Sequence, residues 1–291
     1  MKSLITTLIL LIFISSKGMA QYDCGSFEDC LNVGISAYQD ENNEGAVGYL
    51  TNAINKWNKS NGVDMLVKAY NHRAMAYASL EKNQEAINDL NKVIELNSKY
   101  APAYRNRAGV FETIGEYSKA IDDYTFVIKL ENDTGDYARR GAAFGKIQNF
   151  DEAIKDYTKA IELNPTWVDY HLQFGQIYFL NKQYDKALGE FSKAQDLNAT
   201  IPDPYSLSAI TYLVLKKFDQ ALEQAESAVT FAPDSKEVYE LRGMIYNKLG
   251  KHVEAIADLK KAVDLGSEVS RQDLKNIYKI DYLQNHIKKK E

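Results

Sequence analysis

Alanine returns along this chain on a fixed period. It stands at Ala86, Ala120, Ala153, Ala187, Ala221 and Ala255, at intervals of 34, 33, 34, 34 and 34 residues. An aromatic column (Tyr77, Phe111, Phe144, Tyr178, Tyr212, Tyr246) and a small-residue column (Ala74, Ala108, Gly141, Gly175, Ala209, Gly243) keep the same steps. A unit of this length is one supersecondary element that cannot bury its apolar face alone, so the chain must stack copies of it.

Each unit reads as two amphipathic helices. In the fourth, Tyr137, Arg140, Gly141 and Phe144 lie at helical spacing, Gln148-Asn149 makes a turn, and Ala153, Tyr157 and Ala160 continue on a second helix. Leu163-Asn164-Pro165 ends it, because proline cannot continue a helix interior. All five prolines fall between units or in the first turn of the next, where a missing N–H costs little. A small residue on each helix lets the two backbones approach, and aromatic side chains fill the wedge beside them. With only 16 Gly and 5 Pro, the chain is too poor in turn formers for a β protein of this size.

The order from Tyr137 through Gly141, Phe144, Ala153, Tyr157 and Ala160 to Pro165 resembles the tetratricopeptide repeat, with Tyr in place of its usual first Trp. The resemblance covers residues 67–267 in six units. A degenerate first unit (Gly34, Ala37, Ala46, Leu50, Ala53) lies in 21–66, separated from the second by an insertion around Lys56 to Asp64. It implies an all-α fold: a right-handed α-solenoid of stacked antiparallel helix pairs. Residues 268–291 are expected to form a capping helix, with Ile277, Ile280, Leu283 and Ile287 on one stripe.

The resemblance further implies a concave groove, lined by the first helices, that takes a protein or peptide partner. The positions beside the packing columns are Asn71, His72, Arg105, Asn106, Arg139 and Lys146 in the second to fourth units. In the fifth to seventh they are Leu172, Gln176, Phe179, Ile210, Leu213, Leu241 and Met244. The groove is thus expected to change from basic and amide-rich to apolar, suiting an acidic segment first and an apolar one after it. The alternative is that the apolar residues pack on the next unit and the basic ones are solvated. Asn106 and Arg139 match part of the family's carboxylate clamp, but Asn71, Met75 and Gly135 stand at its other positions, so the clamp is incomplete.

Four units carry an Arg one residue before the small column and an Asp sixteen residues later: Arg73 and Asp89, Arg107 and Asp123, Arg140 and Asp156, Arg242 and Asp258. The fifth and sixth units lack both, with Phe174 beside Glu190 and Ser208 beside Gln224. The joint appearance and loss predicts an ion pair between the two helices of a unit, an element of architecture.

Residues 1–20 differ in composition from the rest. Lys2 is followed by an apolar run from Leu4 to Ile14, and Gly18-Met19-Ala20 offers small residues for cleavage. The run is shorter than a membrane span needs, so it reads as a signal peptide cut after Ala20. No integral membrane segment is then expected after cleavage, and the destination is the periplasm or the extracellular space. Removing Lys2 and Lys17 leaves 33 basic against 40 acidic residues, a net charge of −7 that argues against nucleic acid as a partner. The only cysteines, Cys24 and Cys30, lie just past the cleavage point. An exported chain permits a disulfide between them, and two separate thiols are the alternative. Two thiols without nearby histidine make no zinc site, and no cofactor is implied.

No phosphate-binding glycine loop, nucleophile elbow or metal-ligand spacing is present, and the four histidines (His72, His171, His252, His286) are scattered. His171 and His252 fall in columns otherwise aromatic and read as packing substitutions. The expected function is an exported scaffold or adaptor without enzymatic activity. The alternative is a periplasmic holdase. A glycosylated secretory protein is a third reading, from sequons at Asn58, Asn132 and Asn198.

Overall fold

A computed structural model of the chain describes residues 22–276 and Tyr278. Among them are fifteen α-helices and no strand. The chain divides into two compact units, one up to Ile147 and one from Gln148 onward. The division falls inside the fourth repeat, between its two helices.

The first unit holds α1 (Phe27–Gln39), α2 (Asn43–Lys56), α3 (Val63–Ser79), α4 (Asn83–Leu96), α5 (Ala101–Thr113), α6 (Tyr117–Glu131) and α7 (Thr134–Lys146). The second holds α8 (Phe150–Leu163), α9 (Val168–Leu180), α10 (Tyr184–Leu197), α11 (Pro202–Val214), α12 (Phe218–Phe231), α13 (Lys236–Lys248), α14 (His252–Asp264) and α15 (Glu268–Asn276). Within each unit every helix packs on the next. First helices of successive repeats also touch, as α3 does α5 and α11 does α13, so they line the closer-spaced side of each unit.

One turn is repeated throughout. Each first helix ends on a residue with positive φ, at Glu41, Glu81, Gly115, Gln148, Lys182, Lys216 and Gly250. The next amide then reaches back five residues to a helical carbonyl, as Lys82 N does to Tyr77 O (2.9 Å), Gln183 N to Tyr178 O (2.8 Å) and Lys251 N to Tyr246 O (2.9 Å). This satisfies a carbonyl that the helix end would leave bare. Only two of the seven positions are Gly, so most repeats accept the cost of a left-handed side chain for the turn.

The connection between repeats is closed from the first turn of the next first helix. Tyr104 and Tyr205 donate their hydroxyls to the carbonyls of Ser98 and Ala199, six residues back (both 3.1 Å). His171 occupies the same column and makes the same bond, Nε2 to Pro165 O at 3.0 Å. A carbonyl only accepts, so Nε2 carries the hydrogen. Nδ1 lies 2.7 Å from Glu190 Oε2, and the ring is 4% exposed. The histidine is therefore a hydrogen-bonded core residue.

The pairing of sizes between helices is literal. A Cβ added at Gly34 would lie 2.6 Å from Leu50 Cγ, and one at Gly175 would lie 2.4 Å from Phe191 Cε1. In the sixth repeat Ala209, Ala221 and Ala225 pack with Ile245 instead.

At the N-terminal end the first helix pair is complete, and the lead-in folds back over it. Ser26 and Asp29 form a capping box at the start of α1. Cys24 in the lead-in is bonded to Cys30 on α1, their Cα atoms 5.2 Å apart. The Tyr22 ring fills the notch over Gly48, and its carbonyl accepts from the buried Asn52 amide at 2.7 Å. Lys56 reaches Asp23 (3.2 Å) and the Cys24 carbonyl. The insertion after α2 holds a 3-10 turn at Lys59–Asn61, pinned by Trp57 Nε1 on Gly62 O at 3.0 Å. At the other end Leu274 of α15 is fully buried against Leu259 and Val263. The stripe through Ile277, Ile280, Leu283 and Ile287, like the segment of residues 1–20, lies outside the described residues.

Candidate protein-binding surfaces

Most of the repeated arginines are committed to the scaffold. Arg73 meets Asp89 through Nε and Nη2 (both 2.7 Å), Arg107 meets Asp123 (2.8 and 2.6 Å), and Arg242 meets Asp258 (2.7 and 2.8 Å). The aspartate side chains are 9%, 7% and 8% exposed, so these are two-point bonds largely shielded from water. Each guanidinium also lies over aromatic rings one turn away on its own helix, as Arg107 does over Tyr104 and Phe111. Nη1 reaches the second helix of the preceding repeat: Arg73 to Thr51 (3.0 Å), Arg107 to Asn91 (2.6 Å) and Arg140 to Thr125 (3.0 Å). Each such arginine of the first unit thus ties its repeat to the one before it. Arg140 and Asp156 stand in different units. Bonding to Asp123 and Asp258 raises the Arg107 and Arg242 pKa values, while burial lifts the Asp123 carboxyl against the pull of Arg107.

Where the arginine is missing, other polar groups occupy the locus. Glu190 takes His171 and also Lys193 (2.8 Å), and Gln195 bridges Ser208 (3.3 Å) and Gln224 (3.0 Å). The fifth and sixth repeats are thereby joined without the guanidinium.

In the first unit a groove of about 490 Å³ lies over α3, α5 and α7. Arg105, Asn106 and Arg139 line it together with Met75, Asn83, Glu112 and Tyr124. Asn71 lies beneath, 5% exposed, accepting from Asn106 Nδ2 at 3.0 Å. His72 bonds the Lys68 carbonyl on its own helix (2.8 Å) and, with the exposed Lys146, stands outside the lining.

The charge of this groove differs from the basic character expected. Arg105 is held by the fully buried Asp136 (Nε–Oδ1 2.8 Å, Nη2–Oδ2 2.7 Å) and by Glu131 (2.5 Å), and its pKa is raised by Asp136 foremost. Its positive charge is neutralised from within, so it offers little to an acidic ligand. Arg139 keeps an exposed guanidinium, 3.8 Å from Asp136. Burial raises the Glu112 carboxyl, opposed by the Tyr124 hydroxyl, which donates to it at 3.1 Å, and by Arg139 and Lys146. The result is a mixed polar groove with amides, one open cation and one proton-hungry carboxyl. Sequence reading missed Asp136 and Glu112, since neither belongs to a repeated column.

The second unit carries a groove of about 610 Å³ between α11 and α13. Ile210, Leu213, Leu241 and Met244 line it with Val214 and Phe218. Ile210, Val214 and Met244 are 38%, 47% and 54% exposed. Leu172, Gln176 and Phe179 are not brought to it; Phe179 packs edge-on against Tyr184 at 5.5 Å. The rim is charged, with Glu237 and Glu240 toward the start of α13 and Lys216 and Lys248 toward the helix ends.

Among the described residues no cluster of His, Cys, Asp and Glu has the makings of a metal site, and no helix is long and apolar enough to cross a membrane. The two grooves on first helices are the candidate binding surfaces.

The sequence of residues 67–100 and 137–166 matches one tetratricopeptide repeat profile, and residues 207–269 match a second. No curated protein matches the sequence. Among solved structures, the chain is similar to a tetratricopeptide repeat protein from Parabacteroides merdae, at 21% identity and a TM-score of 0.66, over 86% of this chain and 97% of that one. It is equally similar to the C-terminal part of a TPR repeat-containing protein from Cytophaga hutchinsonii (22%, TM-score 0.66, 84% and 99%). YrrB, described as a TPR protein with an unusual peptide-binding site, aligns at 22% identity with a TM-score of 0.53, over 69% and 97%. At these identities the likeness is one of fold. The described helices have the fold of solved tetratricopeptide repeat proteins, and residues 67–100, 137–166 and 207–269 of this chain are tetratricopeptide repeats.

Proposed function

We propose that this chain is an exported scaffold that holds segments of other proteins against the first helices of its repeats. The observation that carries the reading is the groove on α11 and α13, where Ile210, Val214 and Met244 remain exposed side by side. A contiguous apolar surface with a charged rim is the signature of a protein-binding site. A further feature supports it: the strict columns are consumed by packing. YrrB's peptide site lends support by analogy of fold alone. Export rests on residues 1–20, and the disulfide-bonded lead-in suits an oxidising compartment.

The test is quantitative crosslinking of the native chain in its own cell envelope, compared with Leu213→Asp and Arg139→Glu variants that keep their helicity. Loss of the same stoichiometric partners from one or both variants supports the scaffold. Full retention by both refutes groove binding. N-terminal sequencing of the recovered protein should begin at Gln21, and a chain retaining Met1 in the cytoplasm refutes export. The same exposed lining favours a second reading, a holdase for unfolded chains. That reading requires suppression of aggregation of unrelated clients by the unmodified chain and its loss in Leu213→Asp.

A further inference from the structure

The apolar groove of the second unit carries a polarity that says more about its occupant. Along α13, Glu237, Leu241, Met244 and Lys248 fall on one stripe, so the surface runs from acidic through apolar to basic across twelve residues, about 16 Å of helix. Lys216, at the end of α11, joins Lys248 at the basic end. The acidic end is held in place by hydroxyls: Ser235 donates to Glu237 at 2.7 Å and Ser267 donates to Glu240.

The middle of the groove is formed by helix interiors whose backbone groups are already paired, and by aliphatic side chains. An extended segment laid there would bury its own N–H and C=O groups without partners, at a cost of a few kcal/mol for each. A helix brings its backbone satisfied. Its macrodipole favours acidic residues at its N-terminus and basic ones at its C-terminus. The rim charges therefore set both the class of partner and its direction.

We propose that this groove takes an amphipathic helix of a partner protein, about three turns long. It lies antiparallel to α13, its acidic first turn against Lys216 and Lys248 and its basic last turn against Glu237 and Glu240. The proposal rests on the scaffold reading and sharpens it.

The test uses residues 21–291 and two fluorescein-labelled synthetic peptides, stapled so that both are helical by circular dichroism. Both present Leu at i, i+3, i+4 and i+7. One has Glu in its first turn and Lys in its last, and the other has Gln at all of these positions; a benzophenone in the first turn of the first peptide should label α13 near Lys248, and labelling near Glu237 overturns the stated direction. Fluorescence anisotropy should show the first binding at least about tenfold more tightly. Lys216→Glu with Lys248→Glu leaves both ends of the groove acidic and should abolish the preference, and Met244→Glu, at a half-exposed position, should abolish binding of both while helicity is kept. Equal binding of the two peptides, or binding indifferent to Met244→Glu, overturns the proposal. So does a rise in peptide affinity on deleting residues 277–291, because the chain's own C-terminus would then be the occupant. If the peptides fail while Leu213→Asp still removes a native partner, the helix proposal falls and the scaffold reading stands. If native partners survive Leu213→Asp and Arg139→Glu as well, both fall.

Discussion

Gly175 and Gly243 occupy the same column in different repeats, yet alanine should act on them with opposite sign. In a helix interior the Gly→Ala change favours the folded state by about 0.8–1.0 kcal/mol. At Gly243 the new Cβ would meet Asp258 Cβ and Leu259 Cγ at 3.4 Å, ordinary contact, so the full gain should appear. At Gly175 it would lie 2.4 and 2.6 Å from Phe191 Cε1 and Cδ1. The ring must withdraw by about 1 Å to restore van der Waals contact. Phe191 is fully buried, and overpacking of this kind costs about 1–3 kcal/mol. The expected net effect at Gly175 is a loss of about 1 kcal/mol, which separates the two variants by about 2 kcal/mol. Urea titration followed by far-UV circular dichroism measures the difference. In a Trp57→Phe background, fluorescence of Trp167, which lies against Tyr170 at the start of α9, reports the second unit alone. Phe191→Leu should cost markedly less in the Gly175→Ala background than in the parent, a coupling of about 1 kcal/mol. If Gly175→Ala stabilises the chain as much as Gly243→Ala does, the size-pairing account of this column is wrong.

Two further outcomes follow from the buried polar groups. Arg107→Met should cost about 3 kcal/mol by stranding the Asp123 carboxylate, while Arg107→Met with Asp123→Leu should recover most of that loss; a single-variant cost below about 1 kcal/mol in urea titration would show the pair to be structurally idle. Glu112 has its folded-state pKa raised by burial, so the folded state holds this proton more tightly than the unfolded chain. Its contribution to stability is present below the usual carboxylate range and is lost as pH rises through the raised value. Glu112→Gln should therefore stabilise the chain at neutral pH and flatten the acid side of the urea-midpoint profile; an unchanged profile would contradict that environment.

The helix pairs were legible because packing repeats. The Ala, aromatic and small-residue columns each serve the same contact in successive units, so period alone exposes them. The ion pairs were legible for a related reason, since Arg and Asp come and go together; their two-point geometry is present at Arg73, Arg107 and Arg242. The groove was legible only in part. Ile210, Leu213, Leu241 and Met244 converge as their positions suggested, because first-helix residues beside the packing columns must face outward. Leu172, Gln176 and Phe179 obey the same rule but lie outside the lining of this groove, and Phe179 packs on Tyr184.

The charge of the first groove shows why one-dimensional reading stops there. Arg105 and Arg139 are visible as cations in the sequence, but Asp136, 31 residues beyond Arg105, comes within 2.7 Å of it only once α5 and α7 stand side by side. Electrostatics depends on distance and burial, and neither is periodic. The sequence by itself determined the repeat, the helix pairs, their size-matched contacts and the residues that carry the ion pairs, because these follow from local periodicity. Only the tertiary structure decided that Arg105 is neutralised from within, that His171 bridges Pro165 and Glu190, and that the open surface of the second unit runs from acidic to basic across an apolar floor. Those properties arise from side chains far apart in the chain that the stacking brings within reach.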